Sequence, residues 1–164
     1  MKSKVVWSAT VGIITCSVVV LLAIMCVFVI SMGVEVMSVV FLSMVGLAVG
    51  YCSYMSPRSI EVTDSEIILL KWIGKKRFCL DQVVAVECFM PNGSDLRLFG
   101  SGGVGGFLGR FTNDTIGIYT SYVGSYRNAF VLKMSDGKAY MLSCNDRDEV
   151  VKYINELITK KEAV

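Results

Sequence analysis

Residues 5–55 read VVWSATVGIITCSVVVLLAIMCVFVISMGVEVMSVVFLSMVGLAVGYCSYM, and Glu35 is the one charged residue among them. Thirty consecutive uncharged residues precede Glu35 and 22 follow it. A helix of about 20 apolar residues is long enough to cross the hydrocarbon core of a bilayer. The stretch therefore predicts a transmembrane helical hairpin with spans over about 5–32 and 36–55.

The first apolar run is not typical of a cleaved signal peptide. A signal peptide has an apolar core of about 7–15 residues, followed by a cleavage site of small residues. Here the run is 30 residues long, and no A-x-A-like site follows it. We therefore expect the first span to be retained.

The charged residues that flank the spans predict the orientation of the hairpin. Lys2 and Lys4 precede the first span, and Arg58 begins a basic region after the second, whereas Glu35 alone marks the connecting loop. Loops rich in Lys and Arg remain in the cytoplasm. We therefore expect a multi-pass protein of the inner (cytoplasmic) membrane with both termini in the cytoplasm.

The distribution of charge divides the chain into two domains. Residues 1–55 carry three charged side chains and the rest of the chain carries 27. This change, and Pro57, which disfavours helix at the preceding residue, predict a hairpin domain over 1–57 and a cytoplasmic domain over 58–164. The second domain has 14 basic and 13 acidic residues. It therefore lacks the basic excess of a nucleic-acid-binding protein.

The sequence offers little chemistry for catalysis, cofactors or metals. It contains no histidine, and its six cysteines form no C-x-x-C pair. The commonest general base and the usual zinc ligand sets are therefore missing. We expect a protein with no enzymatic activity, no cofactor and no metal.

Short segments rich in β-branched and aromatic residues follow Pro57 and are separated by turn residues. They predict about seven antiparallel strands, and Asp136-Gly137 is a typical hairpin turn between the last two. The segments are 58–63, 66–73, 76–80, 83–90, 95–99, 115–122, 128–134 and 138–143.

The C-terminal region changes to helical periodicity. Five apolar residues lie on one helical face, and Asp146 with Glu149 forms a capping-box pattern. The five are Val150, Val151, Ile154, Leu157 and Ile158. The predicted fold class is thus α+β: a helical hairpin, then a curved antiparallel sheet capped by an amphipathic helix.

The stretch Arg97–Phe111, RLFGSGGVGGFLGRF, followed by Asn113, Gly117 and two tyrosines, resembles the arginine-then-glycine-rich stretch of bacterial pleckstrin-homology-like (PH-like) domains that follow a membrane hairpin. The resemblance extends from about residue 59 to 157. It implies a seven-stranded bent sheet with a C-terminal helix, membrane association and no known catalytic activity.

The glycine-rich stretch has two interpretations. It is either an irregular connection between two strands, or an exposed loop that binds a protein partner or lipid through apolar and basic side chains. A dinucleotide site is not expected, because no helix follows the G-x-G-x-x-G match. The candidate loop residues are Arg97, Gly100, Gly102, Gly103, Gly105, Gly106, Phe107, Leu108, Arg110 and Phe111.

Two further features of the sequence each allow two interpretations. The basic cluster from Lys71 to Arg77 is typical of a solvated strand edge, with an anionic-lipid site as the alternative. Small residues at four-residue spacing favour close helix packing, either within the hairpin or in a homodimer. The candidate packing residues are Ser8, Gly12, Gly46 and Gly50.

Together these observations predict a non-enzymatic integral membrane protein that presents a PH-like interaction or scaffolding domain at the cytoplasmic membrane face. Its expected partners are the bilayer and a protein, with a homodimer possible and nucleic acid excluded. The alternative is a lipid or small-ligand sensor, or an accessory subunit of a membrane transport or secretion complex.

Overall fold

The computed structural model of the protein describes residues 1–32 and 36–162, so the predicted loop residue Glu35 lies outside the described residues. It has three helices and ten strands in this described part. The helices are α1 (Ala9–Met32), α2 (Val36–Met55) and α3 (Arg147–Glu162). The strands are β1 (Lys2–Lys4), β2 (Pro57–Val62), β3 (Glu66–Lys71), β4 (Lys75–Cys79), β5 (Val83–Cys88), β6 (Leu96–Gly102), β7 (Phe107–Asn113), β8 (Gly117–Val123), β9 (Ala129–Met134) and β10 (Ala139–Ser143).

The two predicted apolar helices are confirmed as helices long and apolar enough to cross a membrane, over Ala9–Val29 and Ser38–Met55. Only 6% and 0% of these windows are buried within the protein, so neither is the core helix of a soluble domain. The first helix begins at Ala9, later than the predicted residue 5. The Ser8 hydroxyl caps it by accepting a hydrogen bond of 3.3 Å from the Val11 amide.

Residues 2–4 form a strand that the sequence did not predict. Strand β1 pairs antiparallel with β2, with Ser3 opposite Ile60, and so becomes the outer strand of a four-stranded sheet in the order β1-β2-β3-β4. A strand of three residues, two of them lysines, is too short for a periodic signal. The first strand of the sheet therefore precedes the helical hairpin, and the second follows it.

The second sheet has six strands in the order β5-β9-β10-β8-β7-β6. The prediction of an entirely antiparallel sheet is wrong at one place, because β10 pairs parallel with β8. The β9–β10 hairpin turns the chain back, so that β10 lies between β9 and β8. The described residues form ten strands, more than the predicted total of about seven. Eight of them correspond to the predicted segments, and β1 and β7 were not predicted as strands.

The main core lies between the two sheets and α3, as the predicted fold class requires. Ile60, Leu69, Leu132 and Ile154 are fully buried there. The predicted face of α3 points into this core, with Val150, Val151 and Ile154 buried and Leu157 and Ile158 partly buried. A second apolar cluster, which includes Phe111 and Met141, lies on the other face of the six-stranded sheet.

Strand β1 also contacts the start of α3. The Ser3 hydroxyl donates a hydrogen bond of 2.8 Å to Asp146 Oδ2, and the Asn145 amide donates to the Lys4 carbonyl at 2.9 Å. The predicted helix start at Asp146 is therefore held by the N-terminal strand. These contacts join the first residues of the chain to its last helix.

Replacement of Leu132 by alanine should destabilise the domain by about 2–5 kcal/mol, because it leaves a cavity in the core. Leu132 is 0% exposed, whereas Leu96 is 67% exposed, so Leu96→Ala is the matched control. Thermal unfolding in detergent should show a large downward shift for Leu132→Ala only. Equal shifts for the two variants would contradict this description of the core.

Candidate functional site

The glycine-rich stretch folds as a β-hairpin and not as a wide loop. Strands β6 and β7 pair antiparallel, and the turn at residues 103–106 is closed by a hydrogen bond of 3.1 Å from the Gly103 amide to the Gly106 carbonyl. We call this segment the glycine turn. The glycine turn favours glycine because residues 103, 105 and 106 all have positive φ, a conformation that glycine adopts without steric cost.

The predicted loop residues separate into different environments. Leu108 and Phe111 lie on β7 and are buried, and the Phe107 ring packs 4.5 Å from that of Tyr126. Arg110 is exposed on β7 and pairs with Phe99 of β6. The aromatic side chains are therefore largely structural. Arg97, Gly100 and Gly102 lie on β6, and Gly103, Gly105 and Gly106 form the turn.

The glycine turn is hydrogen-bonded to the base of the helical hairpin, by which we mean the start of α1 and the end of α2. Thr15 Oγ1 accepts a hydrogen bond of 3.0 Å from the Gly105 amide. It donates its hydrogen to the Val11 carbonyl of its own helix at 2.7 Å and lies 3.3 Å from the Gly103 carbonyl. Ser56 Oγ donates to the Gly105 carbonyl at 2.7 Å. The turn is thus hydrogen-bonded to α1 and to the residue that follows α2.

The close approach requires the absence of side chains on the turn. A Cβ atom at Gly103 would lie 2.8 Å from Ile14 Cδ1, and one at Gly105 would lie 3.2 Å from the Cys52 carbonyl oxygen. These glycines are evident in the sequence, whereas Thr15 and Ser56 were not predicted as site residues. Thr15 and Ser56 differ from their apolar neighbours only in having hydrogen-bonding side chains, a property that they share with other serines in both helices.

The chain segments that enter and leave the helical hairpin are also fixed by hydrogen bonds. The Ser8 amide donates to the Gly124 carbonyl at 2.9 Å, and the Val5 amide donates to the Arg58 carbonyl at 3.0 Å. The Gly124 amide in turn donates to Ser143 Oγ at 2.9 Å. Each connection between helix and domain is therefore fixed by backbone hydrogen bonds.

A groove of about 290 Å³ lies between α1, α2 and β6 beside the glycine turn. Its walls include Ile14, Ala48, Val49 and Cys52, and Arg97 lies on its other side. Arg110 is not among its lining residues. The groove combines an apolar wall with one cationic side chain.

Strand β6 is an open edge of the six-stranded sheet. It pairs with β7 and with no further strand in the part of the chain that the structure describes. Three of its apolar side chains are exposed, Leu96, Leu98 and Phe99, with Phe99 72% exposed. The opposite edge, β5, is contacted by α3, where Asn155 donates to the Val86 carbonyl at 3.3 Å.

The predicted packing glycines do not join the two helices. A Cβ atom at Gly12, Gly46 or Gly50 would meet nothing within 4 Å, so none of these three glycines packs closely against the other helix in the described part of the hairpin. The glycine turn contacts both helices at their base. Ser8 caps α1 instead. The homodimer alternative stays a prediction.

Comparison with known proteins identifies one family. A model described as "Bacterial PH domain" matches residues 58–158. No curated protein and no solved structure matches the chain. The match covers β2 to the last part of α3.

Replacement of Thr15 by valine should loosen the glycine turn, because it leaves the Gly105 amide without its acceptor. The cost of about 1–3 kcal/mol should raise the exchange rate of the Gly105 amide about tenfold or more, as measured by hydrogen–deuterium exchange. Thr159→Val is the matched control, since Thr159 Oγ1 donates only to the Asn155 carbonyl of its own helix. An unchanged Gly105 exchange rate in Thr15→Val would contradict the described contact.

Proposed function

The chain belongs to the bacterial PH domain family, and we propose that it is a non-enzymatic integral membrane protein whose PH-like domain is an interaction or scaffolding module held at a fixed orientation on its anchor. The observation that carries the proposal is the pairing of β1 with β2 on either side of the helical hairpin. A strand pair cannot bridge a bilayer, so both ends of the hairpin lie on one side of the membrane.

The exposure of the two helices supports the membrane anchor. Large apolar side chains such as Ile13, Leu21 and Leu47 project from them without cover. Apolar surfaces of this size are unfavourable in water, and α-helices satisfy their own backbone hydrogen bonds in lipid. Removal of α1 as a signal peptide would also remove β1, which the sheet and α3 both contact.

Basic residues at the base of the hairpin support a cytoplasmic domain. Arg58, Lys71 and Lys75 follow the second helix closely in sequence, and positive residues near transmembrane ends favour the cytoplasmic side. We therefore propose a multi-pass protein of the inner membrane with both termini in the cytoplasm.

A non-enzymatic role is consistent with the environment of the buried thiol. Burial raises the pKa of Cys144 to about 11, so the thiol is protonated at neutral pH and is a poor nucleophile. Its neighbours are Ser3 and Asp146, whose contacts join β1 to α3.

The open edge of β6 is the surface that we assign to a protein partner. Exposed edge strands pair readily with an added strand, and side chains on alternate faces then give specificity. The exposed Leu96, Leu98 and Phe99 give this edge an apolar character. The second candidate function, a lipid or small-ligand sensor or an accessory subunit, is favoured by the groove beside Arg97.

The anchor can be tested with a fluorescent reporter fused after Val164. Membranes should retain the fusion after an alkaline wash, and the reporter should be protected from protease added outside intact cells or spheroplasts. Release by the alkaline wash would contradict the anchor. Digestion of the reporter from outside would contradict the orientation alone.

The partner surface can be tested by photo-crosslinking in native membranes. A photoreactive phenylalanine derivative at Phe99 should give a discrete adduct, and the same group at Val84 should not, although both positions are exposed. Leu96→Lys should abolish the Phe99 adduct, because a charge would have to be desolvated in the interface. Adducts of equal yield at both positions would contradict a binding edge at β6.

A further inference from the structure

The groove beside the glycine turn reaches into the apolar part of the helical hairpin. Its helical wall consists of Ile14 from α1 and of Ala48, Val49 and Cys52 from α2. All four lie within the two segments that are long and apolar enough to cross a membrane. At 1.5 Å of rise per residue, they lie about 5–10 Å from the helix ends at the base. A segment that fills the groove therefore lies partly at the depth of the proposed bilayer.

The two helices do not close this groove by packing against each other. Helices in lipid associate through close van der Waals packing, which small residues allow. A Cβ atom at Gly46 or Gly50 would meet no other atom within 4 Å, so α2 has room beside it. The small Ala48 on the wall of the groove allows a further helix to approach closely.

The groove is continuous with the open edge of β6. Ser101 and Gly102, at the end of this strand, line the groove together with Val104 of the glycine turn. The strand runs from Leu96 towards the helices, and its outer side has no strand partner in the part of the chain that the structure describes. A chain that leaves the groove away from the helices would therefore run antiparallel to β6, which is the more stable pairing.

Arg97 is the one charged residue among the described residues that line the groove. Its guanidinium lies along β6 towards the glycine turn, because a Cβ atom at Gly102 would lie 2.9 Å from Arg97 Nη1. It forms no ion pair with a carboxylate of residues 1–32 or 36–162. A carboxylate suits this position, since it accepts two parallel hydrogen bonds from a guanidinium.

We propose that the groove and the β6 edge together bind one segment of a different membrane protein. This segment is the cytoplasmic end of a transmembrane helix, followed by an extended chain that pairs antiparallel with β6. A Glu or Asp at the junction of the two parts pairs with Arg97. The inference rests on the proposed interaction module and specifies the chemistry of its partner.

The page of contacts around the groove favours this occupant over two others. A lipid would fill the apolar wall but would leave the backbone groups on the outer side of β6 without partners. A second copy of this chain cannot supply the segment, because the residues after its own α2 form β2. That strand is already paired on both sides, by β1 and by β3.

The test uses the full chain in phosphatidylcholine nanodiscs with three model peptides. Each peptide has a span of about 20 Leu and Ala residues, then Glu, Gln or Lys, and then a short run of alternating Val and Thr. Binding is measured by Förster transfer between the free end of the peptide and a fluorophore fused after Val164. The Glu peptide should bind about fivefold more tightly than the Gln peptide, and the Lys peptide should bind most weakly.

The preference for the Glu peptide should depend on Arg97. Arg97→Gln should abolish it, because the Glu and Gln peptides then meet the same neutral side chain. Arg127→Gln is the matched control and should retain the preference. It removes the same charge near the start of α1, but Arg127 is exposed and lines a separate recess with Ser8 and Thr10.

The native Cys52 reports the position of the bound peptide. A Glu peptide with a cysteine in the last turn of its span should form a mixed disulfide with Cys52 during copper–phenanthroline oxidation. Peptide mapping should locate this adduct, and Cys52→Ala should abolish it. An adduct mainly on Cys16 or Cys26, which are exposed elsewhere on α1, would contradict binding in the groove.

Four further outcomes would overturn the proposal. They are equal affinity for the Glu and Gln peptides, an equal loss of preference in Arg127→Gln, loss of the preference in phosphatidylglycerol nanodiscs, and disulfide dimers through Cys52 in the absence of peptide. The third would assign the groove to a lipid and the fourth to a second copy. A soluble protein as the adduct of Phe99 in native membranes would refute this inference alone, whereas equal adducts at Phe99 and Val84 contradict the interaction edge itself.

Discussion

The antiparallel pairing of β1 with β2 is the constraint on which the rest of the structure depends. One strand precedes the helical hairpin and the other follows it, so 52 residues, 5–56, leave the sheet and return to it at the same place. Backbone hydrogen bonds of this ladder fix the distance between the start of α1 and the end of α2. The helices are therefore an insertion into the first sheet and not a leader attached to its front.

The remaining contacts at the base follow from that arrangement. Once α1 and α2 start and end beside the domain, only a segment without side chains can approach both, and the glycine turn does so through Thr15 and Ser56. The same closeness places the β3–β4 turn and its lysines at the helix ends. With the helices as the proposed membrane anchor, a domain held in this way presents one face to the membrane and the β6 edge to its side. Such a domain needs no headgroup affinity to reach the membrane.

The elements that could be predicted from the sequence are those that depend on composition and periodicity. The apolar runs predicted α1 and α2, the spacing of Val150 and Ile154 predicted α3, and turn residues separated most strands. Strand β1 was not predicted because three residues have no period. Strand β7 was not predicted because Gly109 interrupts it and its buried apolar residues, Leu108 and Phe111, lie three positions apart and so give no alternating pattern. The parallel pairing of β8 with β10 and the contact of Thr15 with the glycine turn depend on residues that are distant in the chain. No local pattern encodes such contacts.

The central claim is that the hairpin and the domain form one rigid unit, and a distance distribution across their junction tests it most directly. Spin labels attached through unnatural amino acids at Leu47 of α2 and Ile118 of β8, both exposed, leave the native cysteines in place. Pulsed electron paramagnetic resonance on the chain in nanodiscs should give a single narrow distance peak. A broad distribution, as expected for a domain on a flexible tether, would contradict the claim.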